Sequence, residues 1–419
     1  MKNTKLLCTN CGKQYPAGVL KYHCDDCGEV LEAELVRTGT IKEGNPLRQT
    51  VLERYADFFP YFDKAGIERV TMHEGFTPLQ ESEKLAKELG IEKLYFKNES
   101  QNPTWSFKDR GTVTGVLHAI EIGYNKISSV SSGNMAASVA AYGAKAGLKT
   151  YIFVSSQIPV EKVNPTAIYD PILVIVEGRY DLIQRESLRL SNKYGIYMIN
   201  SDAPFRVEGY KTLAFEICEQ TGFDLPDYVL VPGSSGGHIR GIEKGFREFK
   251  ECGLIQKIPK MVCVQAAGCA PIYNAFCAGD ETIKRVENPG TLAHGIENAM
   301  PFSGNQVLRM LKRNGGLCIA VSDEEIIKAQ AELAKTGLFL QPESAASLAA
   351  ARKLEKEKCF KGNEKVLCVL TGSGLKHSAA LKCHKLNNYT CKLEELDGFL
   401  NSHREHQYRE VGRIKIIAG

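Results

Sequence analysis

Lys108 is the residue of this sequence whose surroundings most favour covalent chemistry. It belongs to the stretch 102–111, which reads Asn-Pro-Thr-Trp-Ser-Phe-Lys-Asp-Arg-Gly. An apolar run at residues 94–96 predicts a strand before this stretch, and the apolar spacing of residues 112–122 predicts a helix after it. Lys108 is then expected in the first turn of that helix, with Ser106 as the N-cap.

A lysine at this place is expected to have a lowered pKa. The positive end of the helix dipole and the neighbouring Arg110 both disfavour the charged form of the Lys108 amine. A neutral amine can act as a nucleophile or form an imine with an aldehyde. A solvated lysine in a first helical turn is the alternative, and the loops that follow favour the reactive amine.

Three further segments place small polar residues after a predicted strand. They read Ser131-Ser132-Gly133-Asn134, Gly233-Ser234-Ser235-Gly236-Gly237-His238 and Thr371-Gly372-Ser373-Gly374-Leu375-Lys376. In open parallel sheets, ligands bind at the carboxyl ends of the strands. Small residues let the backbone approach an anion there, and a helix N-terminus supplies N–H donors. The loop at 233–238 is the best candidate for a phosphate cradle, although it matches neither a P-loop nor the dinucleotide-binding pattern.

Together these four segments specify a cofactor. An aldehyde that carries a phosphate needs an amine, an anion cradle and polar partners for its ring, and pyridoxal phosphate fits all three. Lys108 would form the imine, while Asn134 and Thr371 would bond the ring hydroxyl and the pyridine nitrogen. Phe107 is also expected to contact the cofactor, and the residues expected around its phosphate are Gly233, Ser234, Ser235, Gly236, Gly237 and His238.

The elements that position these segments are those of an α/β protein. Short apolar strands alternate with amphipathic helices along most of the chain, which predicts mostly parallel sheets. The continuous apolar run at 171–176 is expected to be a strand covered on both faces. We divide the chain into a four-cysteine unit (1–36), a connecting arm with the start of a larger domain (37–95), a smaller α/β domain with the lysine (96–204), a larger α/β domain (205–380) and a C-terminal extension (381–419).

Composition excludes some classes of function. The net charge of +4 over 419 residues is too weak a bias to indicate binding to nucleic acid or to a membrane surface. No apolar run approaches the roughly 18 residues of a membrane-spanning helix. The first residues lack the hydrophobic core of a signal peptide, so we expect a cytosolic protein. Its 14 cysteines are then expected to stay free or to bind metal.

Two Cys-x-x-Cys pairs near the N-terminus predict a metal site. They are Cys8 with Cys11 and Cys24 with Cys27. Each pair presents two thiolates from a tight turn, and four sulfur ligands in a tetrahedron are what structural zinc prefers. Free cysteines at chance spacing are the alternative. The acidic residues at the end of this unit argue against a zinc ribbon that binds nucleic acid.

The order of these motifs resembles the fold-type II pyridoxal-phosphate enzymes, and in detail the threonine synthase family. Two further stretches carry the resemblance, Glu74-Gly75-Phe76-Thr77-Pro78-Leu79 and Phe205-Arg206-Val207-Glu208-Gly209. The resemblance implies two open α/β domains with the cofactor between them, a homodimer, and an N-terminal cysteine knuckle like that of some members. It also implies that the substrate phosphate binds Lys97 and that the substrate contacts Trp105, Ser131, Ser132 and Met135.

Several residues depart from the family's pattern around the expected substrate. Trp105 stands where glycine is usual, and Met135 replaces a threonine. The other departures are Ser235 and His238 where asparagines are common, Gln341-Pro342-Glu343 in place of Glu-Pro-Ala, and the segment 293–298. These changes concern the substrate more than the cofactor, so the substrate of the family is not assured for this chain.

The resemblance implies a lyase that converts O-phosphohomoserine and water into threonine and phosphate, with the amine of Lys108 moving protons at Cα and Cβ. Two alternatives stay open. One is β-replacement or β-elimination on O-phosphoserine or a related amino acid, as in a cysteate synthase or a dehydratase. The other is a zinc-ribbon binding protein whose enzyme-like body is inactive.

Overall fold

The structure is a computed structural model that describes residues 4–45, 48–60, 63–156, 163–178, 180–386 and 389–402. The chain divides into two units between Ala380 and Leu381. The sequence predicts the start of a C-terminal extension at the same point. None of the described helices is both long and apolar enough to cross a membrane.

Strands and helices alternate through most of the first unit, as the sequence predicts. Within the described residues the strands are β1 (Thr4–Cys8), β2 (Gln14–Pro16), β3 (Leu31–Leu35), β4 (Leu79–Glu81), β5 (Lys93–Asn98), β6 (Lys126–Val130), β7 (Lys149–Ser155), β8 (Ile172–Val176), β9 (Tyr197–Met198), β10 (Tyr228–Pro232), β11 (Lys260–Ala266), β12 (Leu317–Val321) and β13 (Lys365–Leu370). The helices are α1 (Val51–Arg54), α2 (Lys64–Val70), α3 (Glu83–Leu89), α4 (Lys108–Glu121), α5 (Asn134–Ala146), α6 (Asn164–Ala167), α7 (Tyr180–Tyr194), α8 (Pro204–Gln220), α9 (Gly237–Glu251), α10 (Pro271–Ala278), α11 (Gly304–Asn314), α12 (Asp323–Ala334), α13 (Pro342–Lys356) and, in the second unit, α14 (Leu396–Ser402).

The larger sheet ends in the loops that hold the lysine and the glycines. Its order is β12-β11-β10-β13-β5-β4, and all its strands are parallel except β4. Buried residues of α8 and α9 cover one face, and buried residues of α3, α12 and α13 cover the other. All six residues of β5 pair with β13, so the domain boundary predicted between residues 95 and 96 falls inside a strand of this sheet.

The smaller sheet is parallel throughout and has the order β8-β7-β6-β9. β8 lies at its edge, where Ile172 is 41% and Ile175 is 56% exposed. The prediction that the run 171–176 is covered on both faces is therefore wrong. A continuous apolar run indicates a strand, but the pairing of the whole sheet decides whether that strand is central or at an edge.

The first three strands form their own antiparallel sheet in the order β2-β1-β3. This sheet is joined to α9 by two buried cations. The guanidinium of Arg240 donates to the carbonyl oxygen of Leu31 at 2.7 Å, and the ammonium of Lys244 donates to the carbonyl oxygen of Ala33. Because each of these buried cations gives one of its donors to β3, the four-cysteine unit packs as part of the α/β body.

α4 and α8 cross with their backbones in contact. A Cβ added to Gly111 of α4 would come within 2.7 Å of the carbonyl oxygen of Arg206. A Cβ added to Gly209 of α8 would overlap the carbonyl group of Arg110. Only glycine permits this approach, since protein interiors are close-packed. The crossing therefore holds the first turns of the two helices, with Lys108 and Arg206, at a fixed separation.

We expect Gly209→Ala to weaken this crossing. The added methyl group has no room beside Arg110, and overpacking of a core costs about 1–3 kcal/mol or more. The midpoint of urea unfolding should fall, and the protein should retain less cofactor. Gly115→Ala on α4 is the matched control, because its nearest neighbour is an Ile199 methyl carbon at 3.4 Å. In this control the free energy of unfolding should stay the same or rise by up to about 1 kcal/mol. Equal losses of stability and of bound cofactor in both variants would contradict the role of the crossing.

Candidate active site

Lys108 is the first residue of α4, as the sequence predicts, but the cap of the helix differs from the prediction. Phe107 takes the cap position, and its backbone is already helical at φ −55° and ψ −15°. Ser106 instead forms an isolated β-bridge with Gly372. The predicted N-cap at Ser106 is therefore wrong, because its backbone pairs with the loop after β13.

The loop after β13 is bonded directly to the lysine loop. The amide of Phe107 donates to the carbonyl oxygen of Thr371 at 3.0 Å, and the amide of Ser373 donates to the carbonyl oxygen of Trp105 at 3.1 Å. The ammonium of Lys376 donates to the carbonyl oxygen of Thr104 at 2.7 Å. Two segments more than 260 residues apart are thus one rigid wall beside Lys108.

The pKa of Lys108 is lowered as predicted, but for a different reason. Burial of the amine, helped by the positive charge of Arg206, lowers its pKa from 10.5 to about 7, while Glu343 acts in the opposite direction. Arg110 is not the cause, since its guanidinium forms buried ion pairs with Glu99 at 2.6 Å and Glu216 at 2.5 Å. A buried lysine that titrates near neutrality can exchange protons with a substrate.

Lys97 belongs to the same ion-pair network and does not face the pocket. Its ammonium donates to the carbonyl oxygen of Thr77 at 2.6 Å, to Glu216 at 2.7 Å and to Gln220 at 2.8 Å. These three acceptors use all three of its N–H groups. The expectation that Lys97 binds a substrate phosphate therefore conflicts with its position.

A pocket beside Lys108 is formed by the glycine loop. Its walls are Phe107, Lys108, Ser201, Arg206, Tyr210, Pro232, Ser234, Ser235, Gly236, Gly237, His238 and Ile239. Gly236 caps α9 with a φ of 84°, which glycine adopts without strain. A Cβ on Gly237 would lie 2.5 Å from the carbonyl oxygen of Ser201. The first amides of α9 have no partner within the helix, so this end of the helix can donate hydrogen bonds to an anion in the pocket.

His238 and Arg206 line this pocket with buried polar atoms that lack partners. Neither ring nitrogen of His238 and neither Nε nor Nη2 of Arg206 has a hydrogen-bond partner in the described part of the chain. The imidazole stacks on Phe107 with ring centroids 3.8 Å apart, and burial lowers its pKa well below the usual value, so it is neutral. Buried donors of this kind need an acceptor, and the phosphate of pyridoxal phosphate would supply one to His238 beside the glycine loop.

Asn134 and Thr371, the residues expected to bond the cofactor ring, form hydrogen bonds with side chains at the start of α13. The side-chain amide of Asn134 donates to Oε1 of Gln341 at 2.7 Å. The hydroxyl groups of Thr371 and Ser344 lie 2.9 Å apart. The sequence gives no direct sign of these contacts, although the Gln341-Pro342-Glu343 departure marks the correct helix. Asn134 and Thr371 lie next to the lysine loop, and their roles toward the ring stay predictions.

The residues expected near the substrate differ in burial. Met135, at the start of α5, is buried, and Ser131 and Ser132, just before this helix, are half-buried. Trp105 is 57% exposed and has a φ of 61°. That conformation suits glycine, the residue usual in the resembling family, so the loop keeps its shape with a larger side chain. Trp105 therefore adds bulk at the edge of the site and does not fill its interior.

Glu343 is a charged residue of the site whose position the sequence does not predict. Its carboxyl is buried against Gly295, and its Oε2 has no hydrogen-bond partner among the described residues. Burial raises its pKa, while a backbone hydrogen bond and the nearby His294, Lys108 and Lys376 act in the opposite direction. Burial thus has the largest effect on the pKa of Lys108, the guanidinium of Arg206 lowers it further, and the carboxyl of Glu343 raises it.

The four cysteines converge at the N-terminal sheet. The Sγ atoms of Cys8, Cys11, Cys24 and Cys27 all lie within 4.8 Å of one another. The hydroxyl of Tyr15 donates to the Sγ of Cys24 at 3.1 Å, and this bond lowers the pKa of that thiol to about 6. Thiolates are the metal-binding form of cysteine, so the set fits a tetrahedral metal ion. Zinc itself stays a prediction.

Comparison with known proteins identifies the family. The family model described as pyridoxal-phosphate dependent enzyme matches residues 70–372. The threonine synthase of Methanocaldococcus jannaschii is 39% identical over 375 residues, which cover 88% of this chain and 92% of that protein. The threonine synthase of Methanosarcina acetivorans is 37% identical over 378 residues, with the same coverage.

The chain belongs to the pyridoxal-phosphate-dependent enzymes, as a threonine synthase-like member. This lyase shares its fold with the solved structure of processed threonine deaminase isoform 2 from Solanum lycopersicum, with a TM-score of 0.64 at 22% identity, over 80% of this chain and 86% of that one. Maize serine racemase also has a TM-score of 0.64 at 20% identity, over 81% and 96%. At these identities the likeness shows the fold alone, and the predicted fold class is confirmed.

We expect this enzyme to carry its cofactor on Lys108. Borohydride reduction of the holoenzyme followed by peptide mapping should place the added mass on the peptide with Lys108, since its amine is buried in the pocket with a lowered pKa. Lys108→Ala should lose the covalent link while retaining some cofactor through the glycine loop. Lys376→Ala is the control, because it removes another amine near the site. Mass on any other lysine would contradict the assignment.

The pH at which the amine of Lys108 becomes reactive should reflect its two charged neighbours. In the apoenzyme, the rate of reaction with pyridoxal phosphate should rise through about pH 7, where the amine loses its proton. Glu343 raises the pKa of Lys108, so Glu343→Gln should move the midpoint to lower pH. Glu324→Gln, an exposed acid in the first turn of α12, should leave it unchanged. A midpoint near the ordinary 10.5 would show that the amine is solvated.

Proposed function

We propose that this enzyme converts O-phosphohomoserine and water into threonine and phosphate. Relatives that match most of the chain at 37% and 39% identity are threonine synthases. The observation that carries the proposal is a second anion-binding feature in the pocket. Arg206 lines it beside the glycine loop, with two guanidinium nitrogens that find no acceptor in the described chain. A substrate with its own phosphate needs such a group besides the cradle for the cofactor.

The substrate phosphate is assigned here to Arg206 and not to Lys97. A guanidinium offers two parallel N–H groups that match a phosphate, and a buried one binds it more strongly than an exposed one. Arg206 is buried and stacks over the ring of Tyr210, with its Cζ 5.2 Å from the ring centroid. Ser201 lies on the same wall. The ammonium of Lys97, by contrast, already has three partners.

Lys108 is the group that moves protons. Bound pyridoxal phosphate would supply an electron sink for negative charge at Cα. An amine with a pKa of about 7 can take a proton and return it at neutral pH. The positive charge of Arg206 keeps this amine ready to accept, and the carboxyl of Glu343 supports it once it is charged. The phosphate then leaves Cγ, and water adds at Cβ.

The second candidate is β-replacement or β-elimination on O-phosphoserine or a related amino acid. The burial of Met135 favours it, because an apolar side chain replaces the threonine usual in the resembling family at the start of α5. A shorter substrate would suit a site in which methionine takes the place of that smaller side chain. A binding protein with an inactive body is disfavoured, since Lys108, the glycine loop and Arg206 form one pocket.

Other predictions of the sequence also belong to this proposal. We assign the four-cysteine set to a structural zinc ion, because its four sulfur atoms leave no open coordination position. A homodimer and a cytosolic location are proposed on the resemblance to the family. Neither of them enters the chemistry described above.

The test is turnover of O-phosphohomoserine by the purified holoenzyme. Phosphate and threonine should appear in equal amounts, and Arg206→Gln should raise KM for this substrate about 10- to 100-fold while the absorbance of the bound cofactor stays. Arg185→Gln, an exposed arginine on α7, should behave as the unaltered enzyme. Turnover of O-phosphoserine with no turnover of O-phosphohomoserine would support the second candidate instead.

A further inference from the structure

The side chain of Phe205 belongs to the core of the cysteine unit although it lies on α8. It is buried in one apolar cluster with Leu6, Cys8, Ala17, Cys24, Leu31 and Ala33. We call residues 4–35, with β1, β2, β3 and the four cysteines, the knuckle. A core this small depends on each large side chain in it. The knuckle therefore cannot pack without the residue that immediately precedes Arg206.

Two polar contacts join the knuckle to the loop before α8. The hydroxyl of Tyr22 donates to the carbonyl oxygen of Met198 at 2.7 Å, with both residues buried. Nε2 of His23 lies 2.6 Å from Oδ2 of Asp202, a carboxylate with no exposed surface. Tyr22 and His23 directly precede Cys24 in the chain. These contacts bracket Ser201, which lines the pocket.

A third contact, with His118 of α4, fixes the position of Phe205. Burial lowers the pKa of His118 to about 4, so the imidazole is neutral. Its Nε2 donates to the carbonyl oxygen of Ala17 at 3.0 Å, and Nδ1 then accepts from the hydroxyl of Tyr197 at 2.8 Å. The same ring stacks on Phe205 with centroids 3.6 Å apart. The knuckle, α4 and the start of α8 thus meet around one phenyl ring.

We propose that the knuckle is a positioning element of the active site, which holds Ser201 and Arg206 where they bind the anionic group of the substrate. Phe205 and Arg206 are consecutive in the first turn of α8, so they project about 100° apart and one fixes the direction of the other. The inference rests on the proposed function in one respect, the assignment of Arg206 to the substrate phosphate.

The metal-binding turns are the part of the knuckle that transmits this effect. The Cys24 turn adjoins Tyr22 and His23, and the Sγ of Cys24 lies 3.6 Å from that of Cys11 in the other turn. A metal ion would bind the two turns together, and its loss would leave the segment with Tyr22 and His23 free to move. Anion affinity at Arg206 should then fall on metal removal. By reciprocity, an anion at Arg206 should raise the affinity of the knuckle for the metal by the same factor.

The experiment measures binding of inorganic phosphate to the zinc-loaded holoenzyme by calorimetry. Tyr22→Phe removes one hydrogen bond to Met198, so Kd for phosphate should rise about 3- to 10-fold, and Phe205→Leu should have a larger effect. With O-phosphohomoserine, KM should rise and kcat and the cofactor absorbance should stay. Arg309→Gln is the matched control, because it breaks the contact of the knuckle residue Glu29 with α11, at 2.7 Å, and leaves the loop before α8 intact.

A second readout does not depend on turnover. At equilibrium with a competing chromogenic chelator, the affinity of the knuckle for zinc should be several-fold higher in saturating phosphate than without it, and this difference should disappear in Arg206→Gln. The inference would be overturned if Tyr22→Phe and Phe205→Leu bound phosphate as tightly as the unaltered enzyme. It would also be overturned if saturating phosphate left the affinity for zinc unchanged. If phosphate binds the unaltered enzyme and Arg206→Gln equally well, the assignment of Arg206 in the proposed function fails instead.

Discussion

The close crossing of α4 and α8 is the constraint on which the site depends. Its glycines let the two backbones touch, and a buried network beside it pairs Arg110 with Glu99 and Glu216. Removing one partner from such a network costs about 3–5 kcal/mol, because a buried charge is left unpaired. The network therefore opposes any rotation of α4 that would turn Arg110 toward the pocket. Arg206 is left as the guanidinium that acts on Lys108.

The charges of the pocket have a common logic. Three buried groups lie at the glycine loop. They are the amine of Lys108, whose pKa is about 7, the neutral imidazole of His238, and the guanidinium of Arg206, two of whose nitrogens have no acceptor among the described residues. Such a set is costly to keep buried without an anion, and anions that bind there recover that cost. The knuckle extends this arrangement, because Phe205 packs in its core while the adjacent Arg206 faces the pocket. A four-cysteine metal site with no open coordination position can in this way affect how tightly the substrate binds.

Prediction from the sequence succeeded where the signal is local. The strand before Lys108, the helix after it, the glycine turn at the start of α9 and the cysteine turns all follow from residues a few positions apart. It failed where the deciding partner is remote in the chain. Arg110 and Lys97 read as site cations, but both pair with Glu216, which is 106 residues from Arg110. The edge position of β8 likewise depends on which strands pair, and periodicity carries no information on that.

The sequence by itself determined the chemical inventory of this protein: a lysine at a helix start, a glycine turn suited to a phosphate, four sulfur ligands and an α/β order of elements. Turn chemistry and periodicity are set by near neighbours, so they can be read along the chain. Only the tertiary structure decided which cations stay available, that Gln341 and Ser344 support Asn134 and Thr371, and that Phe205 completes the knuckle. Burial and ion pairing depend on what the fold brings together, and no local pattern encodes them.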